Sequence, residues 1–171
     1  RAMPDPERTQ LTYRYERWRA LASGILETAG ATFLLLIAVR WYNAGAVSKA
    51  LVAAGGSVGL MLAPWIVTQV EALRWPVSRA ASRLAALGAI AFLVMAVAPF
   101  QAVFVIGSVL AMTCASVAIP LLTQIYQENY PDRERGRLFS RAFMIRIAPA
   151  ALFSLLAGNF LSRHFEGFPL L

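Results

Sequence analysis

Glu27 is the only acid inside the apolar run Leu21–Val39. It lies six residues past Leu21, about 9 Å along a helix rising 1.5 Å per residue. A carboxylate at that depth in hydrocarbon is costly, so it should face a bundle interior, a watery cavity or a partner. Ser23, Gly30 and Leu34 share its helical face, leaving a mostly small strip around it. Glu27 therefore reads as a proton-coupling or cation-binding group. The alternative is a carboxylate that pairs with an arginine or bonds a neighbouring helix. A second set, Thr113, Ser116, Pro120, Thr123, Gln124 and Gln127, falls within about 100° of one helical wheel. Such a stripe can line a cavity, which makes Thr113, Ser116 and Gln124 candidates, with Glu27, for binding a polar solute or a proton. The alternative is that the hydroxyls bond their own or a neighbouring helix. Pro120 removes the hydrogen bond to the Ser116 carbonyl and bends the helix. The third set is Glu128–Arg146, where acids and arginines alternate. Exposed ion pairs are worth about 0–1 kcal/mol each, so only a network there could hold a conformation. Otherwise these charges serve orientation alone. Arg146 stands one turn inside the run Phe143–Leu161.

Enzyme chemistry finds no footing. The chain has one His, His164, beyond the fifth run, one Cys, Cys114, and no Asp inside any apolar run. No HExxH, CxxC or Walker-type loop occurs. Nothing meets the geometric needs of a nucleophile with its base, a carboxylate pair or a metal cluster. The sequence predicts a protein that is not an enzyme and that carries no metal or cofactor. Cys114 reads as a small packing residue.

The elements that must position these groups are five apolar runs: 21–39, 47–70, 77–99, 103–126 and 143–161. A bilayer core takes roughly 20 apolar residues in a helix. The third run reaches that length only when Val77–Ser82 join it, with Arg79 and Arg83 snorkelling to the interface. Hydrophobic residues make up 58% of the chain and charged residues 15%, against about 25% charged in a soluble domain. The expected fold is all-α, a multi-pass transmembrane bundle of about five helices over residues 21–163. A solvated cytoplasmic tail is expected over 1–20 and the start of a truncated continuation over 164–171. Of 16 basic residues, 13 fall before the first run, at the break between the second and third, or at the break between the fourth and fifth, counting Arg79, Arg83 and Arg146 at the run ends that face those breaks. By the positive-inside rule this puts the N-terminus in the cytoplasm, in a bacterial inner (plasma) membrane. A nucleic-acid surface needs no such alternation, so the net charge of +7 does not indicate nucleic acid as a partner. The expected partners are the lipid bilayer, a small-molecule substrate, protons and the remaining helices of a longer chain.

Small residues form two expected packing faces. Gly55, Gly56, Gly59 and Ala63 line one side of the second run, and Ala150, Ala151, Ser154 and Gly158 one side of the fifth. Tyr13, Tyr15 and Trp18 precede the first run, and Trp41 and Tyr42 follow it, as interfacial aromatics do.

Pro131-x-x-x-Arg135-Gly136, after a fourth span and before a proline-containing fifth, resembles the loop between helices four and five of the major facilitator superfamily. The Gly-rich second span and the alternation of long and short connections resemble that family's N-terminal half. The resemblance covers all five spans. It implies alternating-access transport of a small solute between two six-helix halves, with Pro131, Arg135 and Gly136 in a cytoplasmic gate. Arg137 and Arg146, in the same charged stretch, are further gate candidates. The segment Gln69–Val77 lacks the Gly and Asp usual between helices two and three, leaving Glu71 and Arg74 to take part of that role. The chain thus resembles a fragment of a divergent member. The alternative reading is a non-catalytic assembly or sensor subunit of the membrane.

Overall fold

The computed structural model describes residues 6–163, apart from the side chains of Ala31, Leu161 and Arg163. Expectations for residues 1–5 and 164–171, His164 included, lie outside the described residues. Every element is helical: α1 (Pro6–Thr28), a π-helical turn (Ala29–Phe33), α2 (Leu34–Arg40), α3 (Ala46–Ala72), α4 (Val77–Val97), α5 (Gln101–Asn129) and α6 (Asp132–Arg163). The first three follow one another without a break, so the bundle has five rods. Four of them, α3 to α6, are long and apolar enough to cross a membrane. The protein is a multi-pass helical bundle.

The breaks follow from backbone chemistry. After α2, Asn43 takes a left-handed conformation (φ 45°), which Asn tolerates, and the Ala44 N–H reaches back to the Ala38 carbonyl. After α3, Arg74 does the same (φ 49°), and the Trp75 N–H bonds the Val70 carbonyl. Pro76 then precedes α4, and Pro99 lies in the short turn before α5. Prolines also sit inside α3, α5 and α6, at Pro64, Pro120 and Pro149, without ending them.

Three expectations need correction. Residues 6–20 are not a solvated tail: they form the first half of α1, with Glu16 and Ala20 buried. The first span is not one uninterrupted α-helix. A π turn divides it, and the Leu34 N–H bonds the Ala29 carbonyl five residues back. The charged stretch between the fourth and fifth spans is not a long loop. Only Tyr130 and Pro131 separate α5 from α6. Asp132 and Glu134 in the first turn of α6 complement the helix dipole, and each pairs with the arginine three residues on.

α5 is the central rod, packed along α3 on one side and α4 on the other, while α1 packs chiefly along α6. The Gly-rich face of α3 does what its spacing predicts. A Cβ on Gly59 would come 2.6 Å from the Thr113 carbonyl oxygen and 2.7 Å from Ser116 Cβ, and one on Gly55 would come 3.1 Å from the Val109 backbone. The face on α6 does not: Ser154 and Gly158 are exposed, and nothing lies within 4 Å of a Cβ at Gly158. Apolar contacts gather at both ends of the bundle. Phe33, Leu34, Ile37, Val52, Met95 and Phe104 meet at one end. Val70, Ala80 and Leu121, and separately Tyr126, Tyr130 and Leu138, close the arginine-rich end. Cys114 is buried.

Candidate functional site

The charged groups on α1 define the site. Gly24 faces the backbone of Arg146 so closely that any Cβ there would collide with the Arg146 carbonyl. That contact lets α1 and α6 lie side by side. One turn further, Glu27 Oε2 pairs with Arg146 Nε at 3.4 Å, and the Arg146 guanidinium lies 4.4 Å over the Phe143 ring. The Glu27 side chain is 63% exposed and that of Arg146 29%. Glu27 thus stands on the flank of the bundle beside an arginine partner, and the π turn begins two residues later. π turns are frequent at functional sites.

A second charged cluster went unread in the sequence. Glu16 is buried on α1 and accepts two hydrogen bonds from Arg19, Nε to Oε2 at 2.7 Å and Nη2 to Oε1 at 2.6 Å. Arg19 also donates to Ser23 Oγ at 2.9 Å and to the Tyr126 hydroxyl on α5 at 3.0 Å. Burial works against the Arg19 charge, but the hydrogen bond and charge of Glu16, with Tyr126, outweigh it and raise the guanidinium above its usual range. Tyr126 and Tyr130 stack at 5.5 Å between ring centroids. Burial, reinforced by the Glu16 charge, pushes the Tyr130 hydroxyl above the usual phenol range. Thr9 donates to the Asn129 carbonyl at 2.8 Å, and the Asn129 amide donates to Thr12 at 3.1 Å. Together these bonds tie the first half of α1 to the end of α5. The signal that could have found the cluster is Glu16, Ala20 and Gly24, one residue per four on a single buried face.

The polar stripe of α5 divides. Thr113 Oγ1 donates to the Gly55 carbonyl at 3.1 Å, and Ser116 is buried against Gly59, so both serve the α3–α5 contact. Thr123 bonds its own helix at the Ile119 carbonyl, and Gln124 donates to Glu128 one turn on at 3.3 Å. Among the described residues, no hydrogen bond or ion pair joins Glu27 to Thr113, Ser116 or Gln124.

The gate candidates are likewise spread out. Glu71 and Arg74 sit exposed at the α3–α4 turn. Pro131 directly precedes α6, its carbonyl accepting from the Glu134 and Arg135 N–H groups. Arg135 closes the α5–α6 corner, donating to Asp132 at 2.5 Å and to the Gln127 carbonyl at 3.2 Å. Arg137 pairs with Glu134 at 3.1 Å, and Gly136 is helical with open space around it. No ion pair among the described residues links the two turns. Nor does any cluster of three metal-ligating side chains occur among them.

Fold and site together define a multi-pass membrane bundle with its internal charges on α1 and its contacts with α5 and α6. Comparison with protein-family models, characterised proteins and solved structures finds no match to this chain.

Proposed function

We propose that the bundle moves a small solute across the membrane by alternating access, with Glu27 carrying the coupling proton. The observation that supports this reading is the position of Glu27, a carboxylate inside an apolar run, two residues before a π turn and at the junction of α1 with α6; its 3.4 Å pair with Arg146 is the contact that coupling would have to break. Glu27 holds Arg146 when ionised. Loss of the Glu27 charge removes that attraction, while the Gly24 contact and the packing of Tyr13 against the Tyr126–Tyr130–Leu138 cluster still hold the first half of α1, and it lets the chain flex at the π turn. Acids inside membrane segments characteristically serve proton relays and substrate paths. The resemblance to the N-terminal half of the major facilitator superfamily supports the same class. In that reading Arg135 and the α5–α6 corner belong to the cytoplasmic gate, and the exposed faces of the rods meet further helices. The 13-to-3 division of basic residues supports a cytoplasmic arginine-rich end in a bacterial inner membrane.

The test is solute-dependent acidification of liposomes loaded with a pH-sensitive dye, screened with sugars, amino acids and organic ions. Glu27→Gln should abolish proton-coupled accumulation of the active solute and keep its exchange at equal concentrations, which needs no net proton movement. Gradient-driven accumulation by Glu27→Gln at the wild-type level would refute the role of Glu27. The second reading is a non-catalytic assembly or sensor subunit, in which a partner helix covers the face of α6 where Leu152, Leu155 and Leu156 are 58%, 72% and 61% exposed. That reading gains if no solute moves and a partner helix protects this face.

A further inference from the structure

We infer that the arginine-rich end of the α1–α6 pair binds the phosphate headgroups of anionic phospholipids, through Arg14, Arg17 and Arg141, with Tyr15 and Trp18 as its interfacial anchors.

The ion pairs sort the arginines of this end. Arg19, Arg135, Arg137 and Arg146 each have a carboxylate. Arg14, Arg17 and Arg141 are exposed and have none among the described residues; Arg17 lies 5.6 Å over the Tyr13 ring instead. Three acids near this surface are already engaged: Glu16 is buried on Arg19, Asp132 holds Arg135 and Glu134 holds Arg137, while Glu128 is hydrogen-bonded to Gln124 on α5 and Glu7 lies two turns before Arg14. A net positive surface is left, complementary to an anionic one.

Helix register brings these arginines level. Gly24 touches Arg146, and the two helices run in parallel, with Tyr13 packed against the Tyr126–Tyr130–Leu138 cluster. Counting back seven residues from that contact sets Arg17 level with Phe139 and within a turn of the level of Arg141, which lies about 140° round α6 from the side that meets Gly24.

Depth supplies the second argument. Tyr15 and Trp18 are 67% and 69% exposed, and with Leu11 they continue the outward face that Ala22 and Ile25 carry into the apolar run. Three to seven residues before Leu21 correspond to about 4–11 Å at 1.5 Å per residue. The headgroup layer on each side of the hydrocarbon is about 5–8 Å thick. Trp18 and Arg17 therefore lie within the headgroup layer, where indole rings prefer to sit, and Tyr15 and Arg14 at or just beyond its outer edge, on the phosphate side facing water. An arginine near an anionic surface favours it by about fivefold.

Trp18 is the local probe. The protein, with Trp41, Trp65 and Trp75 replaced by Phe, is placed in neutral phosphatidylcholine vesicles. These carry a small fraction of brominated phosphatidylglycerol or, in parallel, of brominated phosphatidylcholine. The anionic quencher should be at least about fivefold enriched at Trp18. Arg14→Gln, Arg17→Gln and Arg141→Gln together should remove the preference. The three lysine replacements, which keep the charge, should retain most of it, and Arg40→Gln with Lys49→Gln at the opposite end should leave it intact. Equal quenching by the two lipids in the unmutated arginine background overturns the assignment. So does loss of the preference on adding inorganic phosphate at constant ionic strength, which would make soluble phosphate the ligand. An equal loss from the opposite-end pair would reduce the effect to net charge.

Discussion

Removing the Glu16 carboxylate tests the joint between α1 and α5 directly. Its side chain is 8% exposed and receives two charge-assisted hydrogen bonds from Arg19, whose own side chain is 38% exposed. Breaking a fully buried ion pair from one side costs about 3–5 kcal/mol, because the remaining charge loses its counterion out of water. Arg19 still reaches solvent, so water takes over part of that loss, and Glu16→Ala should cost about 2–3 kcal/mol. Arg19→Ala strands the more deeply buried partner and also removes the bonds to Ser23 and Tyr126, so it should cost about 3–4 kcal/mol. The double variant strands nothing. Its cost should therefore fall short of the two single costs together by about 2 kcal/mol, the coupling energy of the pair.

The assay is reversible unfolding in mixed micelles, followed by tryptophan fluorescence, for the wild type, both single variants and the double variant. Arg17→Ala serves as the control for an exposed arginine without a carboxylate partner and should change stability by less than about 0.5 kcal/mol. A coupling energy below about 0.5 kcal/mol would refute the reasoning. So would an Arg19→Ala variant no less stable than Arg17→Ala, since either result would mean that the pair is solvated rather than enclosed.

Gly59→Leu should separate α3 from α5 and lower stability by about 1–3 kcal/mol, because even its Cβ falls 2.6 Å from the Thr113 carbonyl oxygen; Gly158→Leu, with open space, should be near neutral in the same unfolding assay. The Tyr130 hydroxyl holds its proton more tightly folded than unfolded, so its contribution is complete below the unfolded value of about 10 and falls as pH rises beyond it; Tyr130→Phe should flatten that alkaline loss when unfolding is repeated from pH 8 to 11.

The sequence was most legible where one residue type met one clear periodicity. Gly55 and Gly59 announced a close helix contact because only hydrogen at Cα admits the α5 backbone there. Glu27 and Arg146 announced themselves as charges in apolar runs, and pairing with an arginine was one of the two roles open to Glu27. Residues 6–20 were misread because their polar composition outweighed the four-residue spacing of Glu16, Ala20 and Gly24. The bonding partner of Arg19 on α5 lies 107 residues away, beyond the reach of any local pattern. In 132–142 the alternating charges read as a loop, yet the same charges at i and i+3 are what a helix uses. The π turn left no mark in composition, because it adds one residue to a turn without changing residue type.

The distribution of polar groups separates two halves of the bundle. Along α3, α4 and α5 the contacts are made by glycine, alanine and apolar side chains, and Thr113 and Ser116 are taken up in that packing. No described carboxylate lies in the buried interior of those three rods; every ion pair between described residues involves α1 or α6. Tight van der Waals contact between helices admits little graded motion, since interdigitated surfaces resist partial displacement. An ion pair such as Glu27–Arg146 is different in kind: its strength depends on solvation, which can change without repacking a core. In the transport reading proposed above, a change of state is cheapest beyond the Gly24 contact, where Glu27 meets Arg146 beside the π turn, with the arginine-rich end held by Arg19 and Tyr126. The α3–α4–α5 slab supplies the surface against which that pair can shift.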